Sequence, residues 1–288
     1  MPNENTIEHT IQPGDTLSRI AAQNGISLSD LLAANPQITN PDHIFPGQVI
    51  FVPGSQPAAE GPDAGGTEPA APPTSSSETL LRGLDANVNL TTKGGCLKTH
   101  GFNFAIRYYN INNPGKNLTR PEGQALVAAG LQLGAVFEDG HPDHDAFFSH
   151  DKGVIHGRAA HDMATNKIQQ PGGSAIYFAV DYDPALHTVQ TVITDYFKGV
   201  KEGLAAGNGR TPKYAIGVYG SGLTCRLLLA EGLATLTWLT QSTGFTESKD
   251  FAKKKLYNLI QFLDTDVCGI NVDPDETNPG KPSGLFAI

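Results

Sequence analysis

Apolar positions recur with two different spacings along this chain, and the changes of spacing mark its predicted elements. Before residue 54, short strand-like runs at residues 6–11 and 49–52 flank two stretches in which leucine, isoleucine and alanine recur at helical spacing. The predicted order is strand, helix, helix, strand. Residues 55–79 are rich in Pro, Ala, Gly and Ser and poor in large apolar side chains, which predicts a flexible linker.

Residues 80–288 alternate between strand-like and helix-like stretches, a pattern typical of parallel sheets and barrels. After a first strand ending at Asp85, the predicted strands are residues 102–109, 131–138, 175–181, 214–219, 235–240, 255–263 and 270–272. The predicted helices are residues 121–129, 157–167 and 186–206, which lie between the second and fifth strands, and residues 221–231, which follow the fifth; only loops separate the last three strands. We therefore predict an α/β fold, an irregular TIM-type (β/α)5(β)3 barrel, after a βααβ module at residues 1–54 and the linker.

Charge and composition exclude several classes of partner. The net charge is −9, which disfavours nucleic acid and anionic membranes. No run approaches the roughly 20 apolar residues that a membrane span needs, and the first residues lack the basic and apolar regions of a secretion signal. Cys96, Cys225 and Cys268 are odd in number and widely spaced, so we expect thiols and not a disulfide framework.

The apolar run at residues 176–180 ends in two acids and marks a candidate site. Side chains alternate along a strand, so Asp181 and Asp183 should share one side. Two neighbouring carboxylates repel each other as anions, and one should then keep its proton to a higher pH and act as an acid. The alternative is that Asp183 and Pro184 form only an exit turn or a helix cap.

Further acids fall at the predicted strand ends, where the chemistry of a barrel collects. The candidate catalytic residues are Asp85, Glu138, Asp181, Asp183 and Asp273. The candidate substrate contacts at the same rim are Arg107, Tyr109, Tyr219, Trp238 and Gln261, although Trp238 also fits a place in the core. Carboxylates beside aromatic residues are typical of glycoside hydrolysis, and metal binding is the rival chemistry.

A histidine-rich segment follows the third predicted strand. It contains His141, His144, His150, His156 and His161. These side chains suit a metal ion, but no cysteine joins them and their spacing matches no strong zinc pattern, which favours a polar loop. We therefore predict no metal and no cofactor.

The N-terminal module resembles a LysM domain. The resemblance rests on residues 9–21, 31–36 and 46–53, which cover the whole module. It implies binding of glycans that contain N-acetylglucosamine, such as peptidoglycan and chitin. The glycan contacts implied by position are Gly14, Asp15, Thr16, Leu17, Asn40, Pro41 and Ile44, of which Gly14 and Asp15 also suit a turn and a cap.

The second domain resembles the glycoside-hydrolase-like family called domain of unknown function 1906, which is similar to the family 25 lysozymes. The resemblance rests on residues 176–183, 216–220, 261 and 272–273. It implies the same barrel, with Asp183 as general acid, Asp181 as its partner, and Asp85 and Asp273 orienting the sugar. Family 25 has Glu at the acid position. Asp183 is one methylene shorter, and Glu138 is our own candidate for supplying the missing reach.

We therefore expect a peptidoglycan hydrolase of the lysozyme (N-acetylmuramidase) type, tethered to the cell wall by its LysM module. Two alternatives remain open: a non-catalytic peptidoglycan-binding protein with a degenerate barrel, and a metal-dependent hydrolase of the peptide stem. The expected partner is the peptidoglycan glycan strand. Action at the cell wall or periplasm without a visible signal predicts non-standard export, as an antibacterial effector of an injection system with an immunity protein, or as a phage-type endolysin.

Overall fold

A computed structural model describes residues 6–11, 17, 20–21, 24, 26, 28–35, 38, 49–53, 79–206 and 211–288 of the 288-residue chain. The chain divides into two compact units, Met1–Gly66 and Thr67–Ile288. Within the described residues, every helix is too short or too polar to cross a membrane.

The N-terminal unit is built around a two-stranded antiparallel sheet. Strand β1 (Thr6–Thr10) pairs with β2 (Val49–Pro53), and helix α1 (Leu28–Ala33) lies between them in the sequence. Asn35 follows this helix and is buried. Its Nδ2 donates to the carbonyls of Leu31 and Phe51, and its Oδ1 accepts from the Phe51 amide at 2.7 Å. One side chain thus fastens the end of α1 to β2.

The second unit is a closed barrel. Its strands are β3 (Arg82–Asp85), β4 (Phe104–Tyr109), β5 (Gln132–Phe137), β6 (Ala175–Ala179), β7 (Ala215–Gly220), β8 (Leu236–Leu239), β9 (Leu259–Gln261), β10 (Thr265–Val267) and β11 (Ile270–Thr277). Strands β3 to β9 pair in parallel in chain order. Strand β11 runs antiparallel and pairs with both β3 and β9, which closes an eight-stranded ring within residues 79–206 and 211–288. The predicted fold class is confirmed, and β10 is an additional hairpin strand.

Helices cover the outside of the barrel. They are α2 (Gly94–Thr99), α3 (Arg120–Ala128), α4 (His150–Asp162), α5 (Leu186–Thr188), α6 (Thr194–Ala205), α7 (Gly222–Ala230) and α8 (Ser248–Lys253). Two 3-10 turns, Pro114–Lys116 and Asp145–Phe147, lie in loops, and π-helical segments Met163–Ile168 and Val189–Ile193 continue α4 and α5. Side-chain hydroxyls cap three of these helices: Thr119, Ser149 and Ser221 accept from the amide three residues on.

The strand residues separate into an inner and an outer core by alternation. On β4, Phe104 and Ile106 pack inside the barrel with Tyr177 and Trp238, whereas Ala105 and Tyr109 pack under the helices. The inner side chains fill the barrel. Strands β4 to β9 therefore send residues into two separate apolar layers.

Helices α4 and α6 touch backbone to backbone, and glycines make this possible. A Cβ added to Gly153 would lie 2.1 Å from the Tyr196 carbonyl oxygen, and one added to Gly199 would lie 2.1 Å from that of His150. Gly157 and Gly203 extend the same contact by one turn. Any larger side chain at these positions would separate the two helices.

The cysteine prediction was wrong. Cys96 in α2 and Cys268 at the tip of the β10–β11 hairpin form a disulfide across 172 residues of sequence, with Cα atoms 6.0 Å apart, and Cys225 is free and buried. The pairing was hidden in the sequence because β11 joins β3 only when the barrel closes. That closure brings the last hairpin beside the first barrel helix.

Gly199→Ala should lower the free energy of unfolding by about 1–3 kcal/mol or more, because its methyl group meets backbone that cannot rotate away. Gly95→Ala is the matched control, since a Cβ at this helical position has nothing within 4 Å, and it should leave stability unchanged or raise it by up to about 1 kcal/mol. Urea denaturation of both variants measures the difference. Equal stability of the two variants would contradict the close packing of α4 on α6.

Candidate active site

An acidic cavity opens at the carboxyl end of the parallel strands. Its volume is about 130 Å³. It is lined by Tyr108, Val136, Glu138, Asp181, Tyr219, Trp238, Gln241, Gln261 and Asp273. These residues lie on or directly after strands β4 to β9 and on β11, at the end of the barrel where this type of fold places its chemistry.

A larger cavity of about 340 Å³ lies at the opposite end of the barrel. Leu81, Asn103, Gln132 and Thr277 line it, together with lysines, and none of its lining residues is acidic. By volume alone, this cavity would be the preferred candidate for the active site. The acid chemistry belongs to the smaller one, because only that cavity collects carboxylates from several strands.

Asp85 is the centre of the hydrogen-bond network beneath the acidic cavity. It is 1% exposed, and its two carboxyl oxygens accept from Tyr108 Oη at 2.8 Å and from Gln261 Nε2 at 2.7 Å. The hydroxyl of Tyr219 donates to Gln261 Oε1 at 2.8 Å. Burial, followed by repulsion from Asp273, raises the pKa of Asp85 to about 7.

Asp275 lies next to this network and is also buried. Its Oδ1 accepts from Trp238 Nε1 at 2.8 Å, and its Oδ2 has no hydrogen-bond partner. Burial and the charge of Asp85 raise the pKa of Asp275 well above its ordinary value. Asp275 was not predicted as a site residue. The signal in the sequence that could have identified it is its position two residues after Asp273, because residues two apart on one strand face the same side.

Glu138 and Asp181 face the same cavity, and the pKa of each carboxyl group is raised. Burial raises the pKa of Glu138, Lys116 at 3.7 Å lowers it, and Asp181 raises it again. Partial burial raises the pKa of Asp181, with further contributions from Asp143 and Asp273. Both carboxyl groups are therefore protonated to higher pH than ordinary surface acids.

Asp183 does not share the cavity with Asp181. Its carboxylate is exposed and accepts from the Thr246 amide and hydroxyl at 2.9 Å, in the loop between β8 and α8. Strand β6 ends at Ala179, so the alternation that should align the two acids no longer applies at residue 183. The expectation that both acids lie on one side is wrong in this structure.

Arg107 and Tyr109 also lie away from the cavity. They point outward from β4, where the Arg107 guanidinium pairs with Glu122 at 2.7 Å and donates to the Ala86 carbonyl. The Tyr109 hydroxyl donates to Gln170. Alternation instead turns Tyr108, which the sequence analysis missed, toward the site.

Trp238, Tyr219 and Gln261 line the cavity as the sequence analysis expected, but Trp238 is no open sugar platform. It is 2% exposed and packs edge-on against Tyr177 and Tyr219. Gln241 lines the cavity as well and has a buried Oε1 without a partner. The wall of the cavity is therefore largely pre-formed.

The predicted histidines scatter across the surface and the outer core. His156 is buried against Phe137 and bonded to the Tyr196 hydroxyl, and burial lowers the pKa of His156 to about 4. His144 pairs with Asp143, and His161 contacts the Leu204 carbonyl. Among the described residues, three potential metal ligands come together elsewhere, at Cys96, His100 and Cys268.

Most of the predicted LysM contacts fall outside the described residues: Gly14, Asp15, Thr16, Asn40, Pro41 and Ile44. Leu17 is described. It is 2% exposed and packs with Ile11, Ile20, Leu31 and Ile50 in the small core. A core position gives Leu17 a role in stability.

Comparison with known families matches both units. The family model described as Rv2525c-like, glycoside hydrolase-like domain matches residues 95–276, and the LysM domain model matches residues 9–53. These matches confirm the predicted LysM module and the glycoside-hydrolase-like domain. The first match includes Glu138, Asp181 and Asp273.

Individual proteins resemble parts of the chain. YbfG of Bacillus subtilis (strain 168) is 28% identical over 170 residues, which cover 57% of this chain and 23% of YbfG. The endolysin of Bacillus phage PZA is 52% identical over 42 residues, 15% of this chain and 16% of the endolysin. The chain spans about a quarter or less of these relatives.

The crystal structure of the Tat-secreted protein Rv2525c of Mycobacterium tuberculosis, in complex with L-tartrate, superposes with a TM-score of 0.58. It is 21% identical, and the superposition covers 73% of this chain and all of that chain. At this identity the likeness supports the fold. The residues of the site have to be argued from this chain's own geometry.

The pKa of Asp85 predicts how stability depends on pH. An unfolded Asp titrates near about 3.9, so between about pH 4 and 7 the folded chain keeps a proton that the unfolded chain loses. Stability should therefore fall as pH rises through this window. Urea denaturation at pH 5 and 7 should show a decrease that is smaller in Asp85→Asn by about 2 kcal/mol. An unchanged pH dependence in the variant would contradict the raised pKa.

Proposed function

Because the chain belongs to the Rv2525c-like, glycoside hydrolase-like family, we propose that its barrel hydrolyses the glycan strand of peptidoglycan. The observation that supports this proposal is the acidic cavity, which Glu138 and Asp181 both line and in which the pKa of each carboxyl group is raised. Glycoside hydrolysis requires such a pair. One group must hold a proton near neutral pH, and the other must act as an anion.

Glu138 is the proton donor in this proposal. Its side chain is one methylene longer than that of Asp183, it lies in the cavity, and burial raises its pKa. It delivers its proton to the glycosidic oxygen as the bond to the anomeric carbon breaks. Asp181, ionised at that moment, stabilises the oxocarbenium-like centre or orients the attacking water.

The remaining residues hold the sugar and shape the site. Asp273 lines the cavity and offers acceptors to sugar hydroxyls. Asp85 acts on the site from beneath the cavity, since both of its carboxyl oxygens already accept hydrogen bonds, from Tyr108 and Gln261. These bonds keep the cavity wall in one arrangement before substrate binds, which reduces the reorganisation that the reaction requires.

The LysM domain supports peptidoglycan as the substrate and the cell wall as the place of action. A second binding site on the same chain raises the local concentration of glycan around the barrel. Rv2525c is described as Tat-secreted, which supports action outside the cytoplasm for its relatives. The muramidase bond specificity, delivery as an antibacterial effector with an immunity protein, and release as an endolysin stay predictions from the sequence.

A non-catalytic peptidoglycan-binding protein is the second candidate. One observation favours it: Asp183, at the position of the family 25 acid, is bound by the Thr246 loop and lies outside the cavity. If Glu138 does not replace that acid, the barrel binds glycan without cutting it.

Glu138→Gln should lower kcat on purified peptidoglycan about 10²- to 10⁴-fold, because the amide has no acidic proton to give. Asp183→Asn should lower kcat less than about tenfold, since its carboxylate contacts Thr246. Mass spectrometry of the soluble products identifies the bond, because a muramidase leaves N-acetylmuramic acid at the reducing end.

The opposite ranking, with Asp183→Asn inactive and Glu138→Gln active, would assign the acid to Asp183. Intact sacculi that bind the wild-type chain and all variants equally would establish the non-catalytic candidate. Both outcomes are read from the same digestion.

Lys116→Met should move the alkaline limb of the pH–rate profile to higher pH. Lys116 lowers the pKa of Glu138 through its charge, so its removal keeps the acid protonated at a higher pH. Lys116→Arg keeps a cation near the same place and should leave the limb close to that of the wild type. Profiles of kcat/KM against pH that coincide for Lys116→Met and the wild type would exclude Glu138 as the titrating acid.

A further inference from the structure

Three potential metal ligands meet on the outside of the barrel, away from the acidic cavity. The sulfur atoms of Cys96 and Cys268 lie 3.7 and 3.8 Å from His100 Nδ1, and all three side chains have ligand atoms within 4.8 Å of one another. Cys96 lies in α2, and His100 follows about one helical turn later as the residue that caps the C-terminus of this helix. Cys268 comes from the β10–β11 hairpin.

These distances nearly match the edges of a tetrahedral zinc site. Zinc bonds of about 2.3 Å to sulfur and 2.0–2.1 Å to nitrogen place a sulfur about 3.5 Å from a nitrogen ligand and the two sulfurs about 3.8 Å apart. Both sulfur–nitrogen edges therefore already have nearly the required length. Cleavage of the Cys96–Cys268 bond is the main change needed, because two unbonded sulfurs separate to van der Waals contact.

We propose that reduction of the Cys96–Cys268 disulfide creates a binding site for zinc or a similar thiophilic divalent cation, with His100 Nδ1 as the third ligand. A dithiol gives two electrons to the sulfur–sulfur bond and becomes a disulfide itself. The two Cys sulfurs take up the two protons, and the metal then displaces a proton from each thiol. Water completes the tetrahedron.

The surroundings of the cluster suit this exchange. His100 Nδ1 is 2.9 Å from the Cys96 carbonyl, a local contact at an exposed residue that water can replace when the nitrogen turns to a metal. Lys93 Nζ donates to the Cys268 carbonyl at 2.9 Å, so a second contact besides the disulfide ties the hairpin to the residue before α2.

With this site, the β10–β11 hairpin would stay attached to α2 in both oxidising and reducing environments. The β10–β11 hairpin leads directly to Asp273 in the cavity and to Asp275 beside Asp85. In an oxidising environment the disulfide anchors this hairpin to α2. In a reducing environment a bound metal holds the same two sulfurs, so β11 stays in place.

The test compares oxidised and reduced forms of the full chain. The chain is reduced with dithiothreitol, desalted without oxygen and titrated with Co²⁺, whose thiolate charge-transfer and tetrahedral d–d absorption report the ligands directly. We expect one Co²⁺ per reduced chain, displaced by Zn²⁺, and none in the oxidised chain. The oxidised chain has the same histidines and is the matched control.

His100→Ala identifies the third ligand without removing the disulfide. The reduced variant should bind at least about tenfold more weakly, since even loss of an outer partner of a metal ligand costs 10- to 100-fold. His144→Ala removes another exposed histidine and should bind like the wild type. Cys225→Ala should do the same, because Cys225 is buried elsewhere.

Three results would overturn the proposal. Reduced wild-type chain that takes up no more Co²⁺ than oxidised chain excludes the site. Undiminished affinity in His100→Ala excludes that ligand. Loss of uptake in His144→Ala assigns the metal to the histidine-rich segment.

Discussion

The antiparallel pairing of β11 with both β3 and β9 is the constraint on which the rest of the second unit depends. Asp273 of β11 stands opposite Asp85 of β3, and Asp275 stands opposite Gln261 of β9. Without this pairing, which closes the barrel, residues from the first and last thirds of the domain would lie on different surfaces. With it, Gln261 donates to Asp85, Asp273 lies on the strand beside them, and Cys268 reaches Cys96.

Closure also determines the electrostatics of the cavity. Several carboxyl groups meet where low-dielectric walls weaken solvation, so burial raises their pKa values and neighbouring acids raise them further. Lys116 opposes this effect at Glu138, with which it pairs. The fold thus raises the pKa of these carboxyl groups at a cost in stability, as functional sites commonly do.

On the outer face of the barrel, two opposite charges are buried as a pair. Arg107 and Glu122 are both fully buried, and Glu122 also accepts from the Leu90 amide at 2.8 Å. This pair joins β4, α3 and the loop after β3 next to the site. A buried pair of this kind contributes geometry more than net stability, because desolvation offsets much of its attraction. It holds the strand on which Tyr108 faces inward.

The sequence by itself determined the two modules, the (β/α)5(β)3 order and the rim on which the acids collect. Periodicity, turn residues and the rule for strand ends are local properties that a sequence displays directly. They identified Asp85, Glu138, Asp181 and Asp273 at the rim, and Gln261 and Tyr219 beside them.

Only the tertiary structure decided which side chains enter the site. A shift of one position exchanges the two faces of a strand, so Tyr108 replaced its neighbours Arg107 and Tyr109. The loop after β6 turned Asp183 toward Thr246, which no periodicity encodes. Contacts between residues far apart in the chain, including Cys96 with Cys268, depend on barrel closure, and strand register and closure are set by packing of the whole domain.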